Sequence, residues 1–459
     1  PHTKETIVKV LFECLVDFNL DERISTVIVD NCTTNDGVVM GLLEKLDPAM
    51  LILDGRFLHM RCCAHILNLI VKDGLDVIGD AIDKVRDAVA FWTATPKRVE
   101  KFEDACRYFK IGGGKKLVLD CKTRWNSTYE MLEIALMYKE VFSRLNKNSK
   151  GKIEKFPLPT PYEWQMAKDI CDRLALFSRV TEAFSGRHYP TANLYFQKVC
   201  EIRLALRKWL ACGNSVIKAM AENMILKFDK YWDVINGILA VASILDPMKK
   251  LECVSFYFHL IYGDGYEIEC FRIKQFLTDL VDDYKDKMNF TSEPSSSRVL
   301  ESDFILGKRT FDEMDDCENL WEKHVLQAPP KRSCKSEVDV YLEEERLVMD
   351  EQKFSILAWW SANSGKYPIL SRVAKDILAV PISTVPSESA FSVGGKVVSP
   401  QCSRLHPSTV EALMCLQSWL FMQFKDATKE NPLALNTILE DEDVDVQPQG
   451  ESQDCRLQI

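Results

Sequence analysis

The run Ile24-Ser25-Thr26-Val27-Ile28-Val29 is β-branched at five of its six positions and leads straight into Asp30. β-Branched side chains pack well on a pleated surface and lose rotamer freedom in a helix, so the run reads as a buried strand. It lies between two helical patterns. Ile7, Val10, Leu11, Leu15 and Phe18 recur at the spacing of one helix face over residues 3–18, and Val39, Leu42, Leu43 and Leu46 do the same after the polar turn 31–36. A short strand over 57–61 then leads into a helix over 64–74. Helix, strand, helix, strand, helix is one half of an α/β layer.

The character changes near residue 80. Strand signals become few, and 166–184, 194–210 and 215–232 carry helical periodicity, so 81–337 reads as a large α-helical insertion. A basic, proline-rich stretch interrupts it at 143–161. A second stretch, about 291–335, holds Ser295-Ser296-Ser297, an acidic patch and Pro329-Pro330, and reads as disordered. Order resumes near Val338. Leu357, Trp359 and Trp360 share an apolar helical run, and Leu370, Val373, Ala374, Ile377 and Leu378 mark a helix that stops before Pro381. Ser408-Thr409-Val410-Glu411 has the form of a capping box, opening a helix with Val410, Leu413, Leu416 and Leu420 inward. Residues 426–459 form an acidic tail.

Composition narrows the function. The 459 residues are 46% hydrophobic and 27% charged, as in an ordinary globular protein. No apolar run reaches the roughly 18 residues of a membrane span, and no N-terminal stretch reads as a signal peptide. The sixteen cysteines are scattered without a C-x-x-C pair, which argues against a structural zinc site and for reduced thiols. The net charge of -10 argues against a generic nucleic-acid binder. Yet residues 440–459 hold seven acids and one base, so the tail accounts for -6 of it.

Four stretches could carry chemistry. Asp30 ends a strand, where open α/β sheets place their sites. It suits a divalent cation or, equally, a cap on the turn that follows. In Arg61-Cys62-Cys63-Ala64-His65, Cys62 and His65 stand three apart on one helix face. They make an incomplete zinc set, a Cys/His pair without an orienting third group, or a buried thiol beside a hydrogen-bonded histidine. Lys122-Thr123-Arg124-Trp125 sets cations beside an aromatic ring, which suits phosphate contact and base stacking or a cation–π plug at a core edge. Lys115 and Lys116 follow three glycines but lack the phosphate-loop pattern. In Val385-Pro386-Ser387-Glu388, Pro386 opens a helix with Glu388 in its first turn, where the helix dipole favours an ionised, metal-holding carboxylate. Glu388 equally serves just to complete the helix start.

These stretches stand in a recognisable order. "VDNCTTND", "RCCAHILNLIVKDGL", "KTRWNSTYEML", "YPTANLYF", "ILDP" and "LAWWSANSGKYPILSRVAKDILAVPISTVPSESAFS" together resemble the hAT superfamily of DNA transposases, particularly its plant domesticated DAYSLEEPER and RICESLEEPER branch. The resemblance implies an RNase H-like core split by a helical domain, mostly α overall. Three acids of that core hold two Mg²⁺ ions for strand cleavage. Asp30 matches the second acid and Glu388 the third, as both catalytic residues and metal ligands. Cys62 and His65 match the family's C-x-x-H pair beside the site. Arg124 and Trp125 match its DNA-proximal Arg-Trp motif, with Lys122, Lys115 and Lys116 as further DNA contacts, and Arg144, Lys147, Lys150, Lys152 and Lys155 as candidates. Trp359, Trp360, Tyr367, Leu370, Leu378 and Trp419 fall in the segment 338–425 that resembles the C-terminal dimerisation region and completes the core.

Departures bear on activity. The chain opens at Pro1, at the helix after the family's third strand, so residues 1–80 are expected to be the N-terminal part of an incomplete RNase H-like core whose first strands are missing. The first acid and the BED-type zinc finger lie upstream of that point. Cys402 stands where a basic residue is common, and Met248-Lys249 where Arg-Tyr is usual. The expectation is a domesticated, catalytically inactive, nuclear protein that binds DNA and dimerises with itself or a related protein, without membrane association and with no cofactor of its own. The alternatives are an interaction scaffold without DNA contact and a fragment of an active transposase.

Overall fold

The structure is a computed structural model that describes residues 3–111, 114–121, 125–147, 158–186, 189–291, 335–350, 353–388, 390–391, 398 and 405–428. The chain divides into two compact units, one ending at Thr384 and one beginning at Val385. Helices dominate, and the described strands make one two-stranded sheet, the mostly α architecture expected.

Helix α1 (Lys4–Asp17) starts where Thr3 caps it, Oγ1 accepting the Thr6 N–H. Its buried stripe is Val8 with the half-buried Ile7, Phe12 and Leu15. Val10 and Phe18, expected inward, are 57% and 67% exposed. Gly41 of α2 (Thr33–Leu43) explains the rotation. A Cβ there would lie 2.8 Å from Val8 Cγ2, so the glycine lets the helices close at Val8. Strand β1 (Val27–Val29) lies between them and pairs in parallel with β2 (His59–Arg61), Val27 opposite His59 and Val29 opposite Arg61. Parallel neighbours need a crossover, and α2 supplies it. The three β1 residues are half-buried, not fully buried as their composition suggests.

The helical body begins with α3 (Cys63–Val77), α4 (Gly79–Thr93), α5 (Pro96–Phe109), α6 (Trp125–Met137) and α7 (Lys139–Lys147). It continues with α8 (Pro161–Phe184), α9 (Ala192–Leu210), α10 (Ser215–Ile244), α11 (Lys250–Tyr262) and α12 (Tyr266–Thr291). The start of α8 is fixed by a capping box: Thr160 Oγ1 accepts the Glu163 N–H, and the Glu163 carboxylate accepts the Thr160 N–H. Helix α10 runs past the expected Trp232 to Ile244. It packs on α3 at Gly74, where a Cβ would lie 2.6 Å from Met224 Cγ.

The last turn of α10 shows how the C-terminal part of this unit is attached. The carbonyls of Ile244 and Leu245 have no helical partner. The Tyr341 hydroxyl donates to the first at 2.9 Å, and Trp360 Nε1–H to the second at 2.8 Å. Tyr341 lies on α13 (Glu337–Glu343) and Trp360 on α14 (Ile356–Ala362). Both are fully buried and packed ring against ring at 5.2 Å. Glu337 accepts the N–H groups of Ile369 and Leu370 at the start of α15 (Leu370–Ala379).

This corrects the dimerisation reading of four residues. Trp360, Tyr367, Leu370 and Leu378 are no more than 2% exposed within one chain, so their side chains build its core. Trp359 is half-buried against Tyr341 and Tyr367. In the second unit, 385–388 are helical and α16 spans Pro407–Thr428. Because α16 begins at Pro407, Ser408 lies inside it and not at its cap, and the expected capping box is not formed. Its Oγ instead meets His406 Nδ1 at 2.8 Å. Leu413, Leu416 and Leu420, expected inward, are 39%, 48% and 40% exposed, and Trp419 is 67% exposed. The disorder expected for about 291–335 and the acidic tail fall almost wholly outside the described residues, as does much of the basic stretch 143–161.

Candidate functional site

The ends of β1 and β2 gather the polar residues. Asp30 follows β1, and its Oδ1 accepts the Cys32 N–H at 3.1 Å and the Asn35 amide at 2.6 Å. That is the turn-capping role. Asn31 accepts from Arg61 Nη1 at 3.2 Å, and Arg61 Nη2 meets Asp36 at 3.1 Å. His59 Nε2 stands 3.5 Å from the same Asp36 carboxylate. Burial lowers the His59 imidazole below its ordinary value, Asp36 opposes that, and Arg61 adds to it. The sequence reading missed Asp36, His59 and Arg61 as a set, because only the packing of α2 on β2 brings them together.

Cys62 is the buried thiol that one of its readings expected, at the junction of β2 and α3, and not a member of a helix face shared with His65. It precedes α3 as its N-cap and is 1% exposed. Its Sγ accepts the His65 backbone N–H at 3.4 Å, the Thr384 N–H at 3.3 Å and the Thr384 hydroxyl at 3.2 Å. The link between Cys62 and His65 is therefore sulfur to backbone. The His65 ring, half-buried, has no hydrogen-bond partner among the described residues. A Cys/His nucleophile pair is not formed, since the sulfur is buried and already accepts three hydrogen bonds. The same junction holds the neighbouring segment twice more. Cys63 N–H donates to the Ile382 carbonyl at 2.9 Å, and the Ser383 hydroxyl to the Phe184 carbonyl at 2.9 Å. Glu388 is exposed in the helical turn that the Pro386 signal implied. Among the described residues no three His, Cys, Asp or Glu side chains converge to hold a metal ion. The two-Mg²⁺ set implied by the resemblance is not built by these side chains alone.

The proposed DNA contacts fare unevenly. Trp125 is 5% exposed and meets Phe177 edge-on at 6.4 Å, so it plugs the core and cannot stack on a base. Lys122 and Arg124 lie outside the described residues, as do Lys150, Lys152 and Lys155. Lys115 pairs with Glu133 at 3.3 Å. Lys116 is exposed, with no carboxylate partner among the described residues. Arg144 pairs with Glu140 and lies over the Phe109 ring.

Two polar locks went unforeseen. Arg86 grips Asp120 with paired 2.9 Å bonds, Thr128 adds a third, and the Asp120 side chain is 1% exposed. In "ILDP", Asp246 accepts the Met248 N–H and the Asn193 amide, while Lys249 reaches the Asn193 carbonyl. The next residue, Lys250, is 3% exposed and donates to the Tyr341 and Glu344 carbonyls at 2.7 Å. The only available signal was a charge inside an apolar motif.

Four family models match the chain in order. They are the ZBED1 RNase-like domain over 1–57, the ZBED1 RNase-like helical domain over 60–173, the hAT-like transposase RNase-H fold over 193–284, and the hAT family C-terminal dimerisation region over 337–420. Among curated proteins the chain is 34% identical to "Putative AC transposase" of Zea mays, over 93% of this chain and 52% of that protein. It is 31% identical to zinc finger BED domain-containing protein RICESLEEPER 2 of Oryza sativa subsp. japonica, over 94% and 60%. It is 28% identical to zinc finger BED domain-containing protein DAYSLEEPER of Arabidopsis thaliana, over 92% and 58%. The chain thus spans between half and three fifths of the length of these three relatives.

Proposed function

Because this chain belongs to the hAT transposase family, we propose that it works as a transposase-derived nuclear protein that self-associates and holds DNA without cutting it. The observation that carries the reading is the succession of family models, in the order of the motifs and ending in a dimerisation region. Self-association is further supported by α16, whose Leu413, Leu416, Trp419 and Leu420 stay exposed. An exposed apolar helix face gains by being covered. Exposed Lys116 supports phosphate contact of the kind that positions DNA without specifying sequence. The engagement of Asp30 in its own turn supports binding over cleavage. No helix of the described residues is long and apolar enough to cross a membrane. A second reading, a scaffold without DNA contact, is favoured by Lys115 and Arg144, which spend their charge on Glu133 and Glu140.

Titrating the chain with duplex DNA at several salt concentrations tests the first reading. Affinity that falls steadily with salt supports it, and no binding at low salt leaves the scaffold. DNA nicking on addition of Mg²⁺ would remove the non-cutting part. Sedimentation of the chain and of Trp419→Asp tests self-association, with a shift from dimer to monomer expected.

A further inference from the structure

Strand β2 has one described neighbour, β1. The Leu58 carbonyl and the Cys62 N–H both bond to β1, at 2.6 Å and 2.8 Å. Backbone groups alternate sides along a strand, so the N–H and C=O of His59 and Arg61 point away from β1. Beside this edge lies a groove of about 840 Å³. His59, Met60 and Arg61 line one side, α12 lines the other through Ile268, Phe271 and Phe276, and Gly237 of α10 contributes to the lining. Ile268 and Phe271 are 73% and 69% exposed. A Cβ on Gly237 would meet only Phe276, at 3.9 Å, so the missing side chain leaves the groove open there.

The charges bordering the groove are unequal. Arg56, Arg61, Arg272 and His59 line it against one acid, Asp279. Arg61 and Arg272 already meet Asp36 and Glu269. Arg56 is exposed and lies over the Phe57 ring, with no carboxylate partner among the described residues.

We propose that this groove is a docking site for an extended peptide segment of another protein, which adds a short strand to the outer edge of β2. Its apolar side chains lie on Phe271 and Ile268, and an acidic side chain meets Arg56. Strand addition suits the geometry, because an open edge supplies main-chain hydrogen bonds and a flanking groove selects side chains. Three β2 residues span about 10 Å, enough for a pairing of three or four peptide residues. A nucleic acid strand fits less well, since two of the three arginines are already neutralised and the far wall is apolar.

The test uses the full chain and a fluorescein-labelled hexapeptide alternating glutamate with valine and phenylalanine, read by anisotropy. Saturable binding is expected. Arg56→Glu should weaken it at least tenfold. Gly237→Leu, which fills the groove and raises helix propensity, should weaken it as much while leaving the unfolding midpoint unlowered. The same peptide N-methylated at alternate amides should not bind. Absence of binding, or equal binding of the methylated peptide, overturns strand addition. Displacement of the peptide by a single-stranded oligonucleotide in an Arg56-dependent way overturns the peptide in favour of nucleic acid. A Gly237→Leu change that turns a dimer into a monomer makes the occupant a second copy and overturns it too.

Discussion

Replacing Cys62 by alanine removes the acceptor that joins the start of α3 to residue 384. The sulfur accepts three N–H or O–H groups, one from His65 and two from Thr384. Loss of an N-cap acceptor costs about 1 kcal/mol. Losing the two bonds from the half-buried Thr384 costs about 0.5–1.5 kcal/mol each. The total is about 3 kcal/mol. Cys62→Ser keeps an acceptor at the cap and should recover most of that. Urea unfolding of the three proteins checks the magnitude, and amide exchange at residue 384 checks its location, with faster exchange in the alanine variant alone. An alanine variant within about 0.5 kcal/mol of wild type would refute the argument, since that is the usual range of surface substitutions. So would a serine variant as unstable as alanine, because the sulfur would then matter for something other than accepting hydrogen bonds.

Asp120→Ala removes the paired acceptor of the half-buried Arg86, which keeps its ion pair with Asp83, and should cost about 1.5–3 kcal/mol, with Asp120→Asn intermediate in the same denaturant series. Trp360→Phe keeps an aromatic ring but strands the Leu245 carbonyl, a loss of about 1–3 kcal/mol. Trp360→Ala adds a cavity and should reach about 3–5 kcal/mol by calorimetry. His59 titrates below its ordinary value in the folded chain, so the unfolded chain binds the extra proton first. The stabilising contribution is present above the unfolded value, near pH 6.5, and is lost as the pH falls toward the folded one. Wild type should therefore lose more stability than His59→Gln between pH 7.5 and 5.5, and equal losses would count against it.

The elements were legible from residue pattern. The β-branched run ending at Asp30 became β1, the apolar stripe before Pro381 became α15, and Pro386 did mark a helical turn. Periodicity reports that a helix has an apolar side. It does not report which neighbour that side meets, and so Val10 of α1 and Phe18 just after it came out exposed while Val8 took the contact at Gly41. Motif residues were the hardest to interpret. Trp125 and Trp360 resemble functional aromatics in sequence, yet one fills the core and the other caps α10. A tryptophan suits a ligand or a helix end for the same reason, a broad ring with one N–H to place.

What the sequence determined by itself was local: where helices and strands form, where they stop, and which motifs stand in which order. Those follow from backbone preferences and from side-chain periodicity over a few residues. Only the tertiary structure decided the partners of Cys62, Asp120 and Lys250. Each lies more than twenty residues in sequence from at least one of its partners. Such contacts exist only once packing brings distant segments together, and burial then makes each unpaired polar group costly enough to fix its partner.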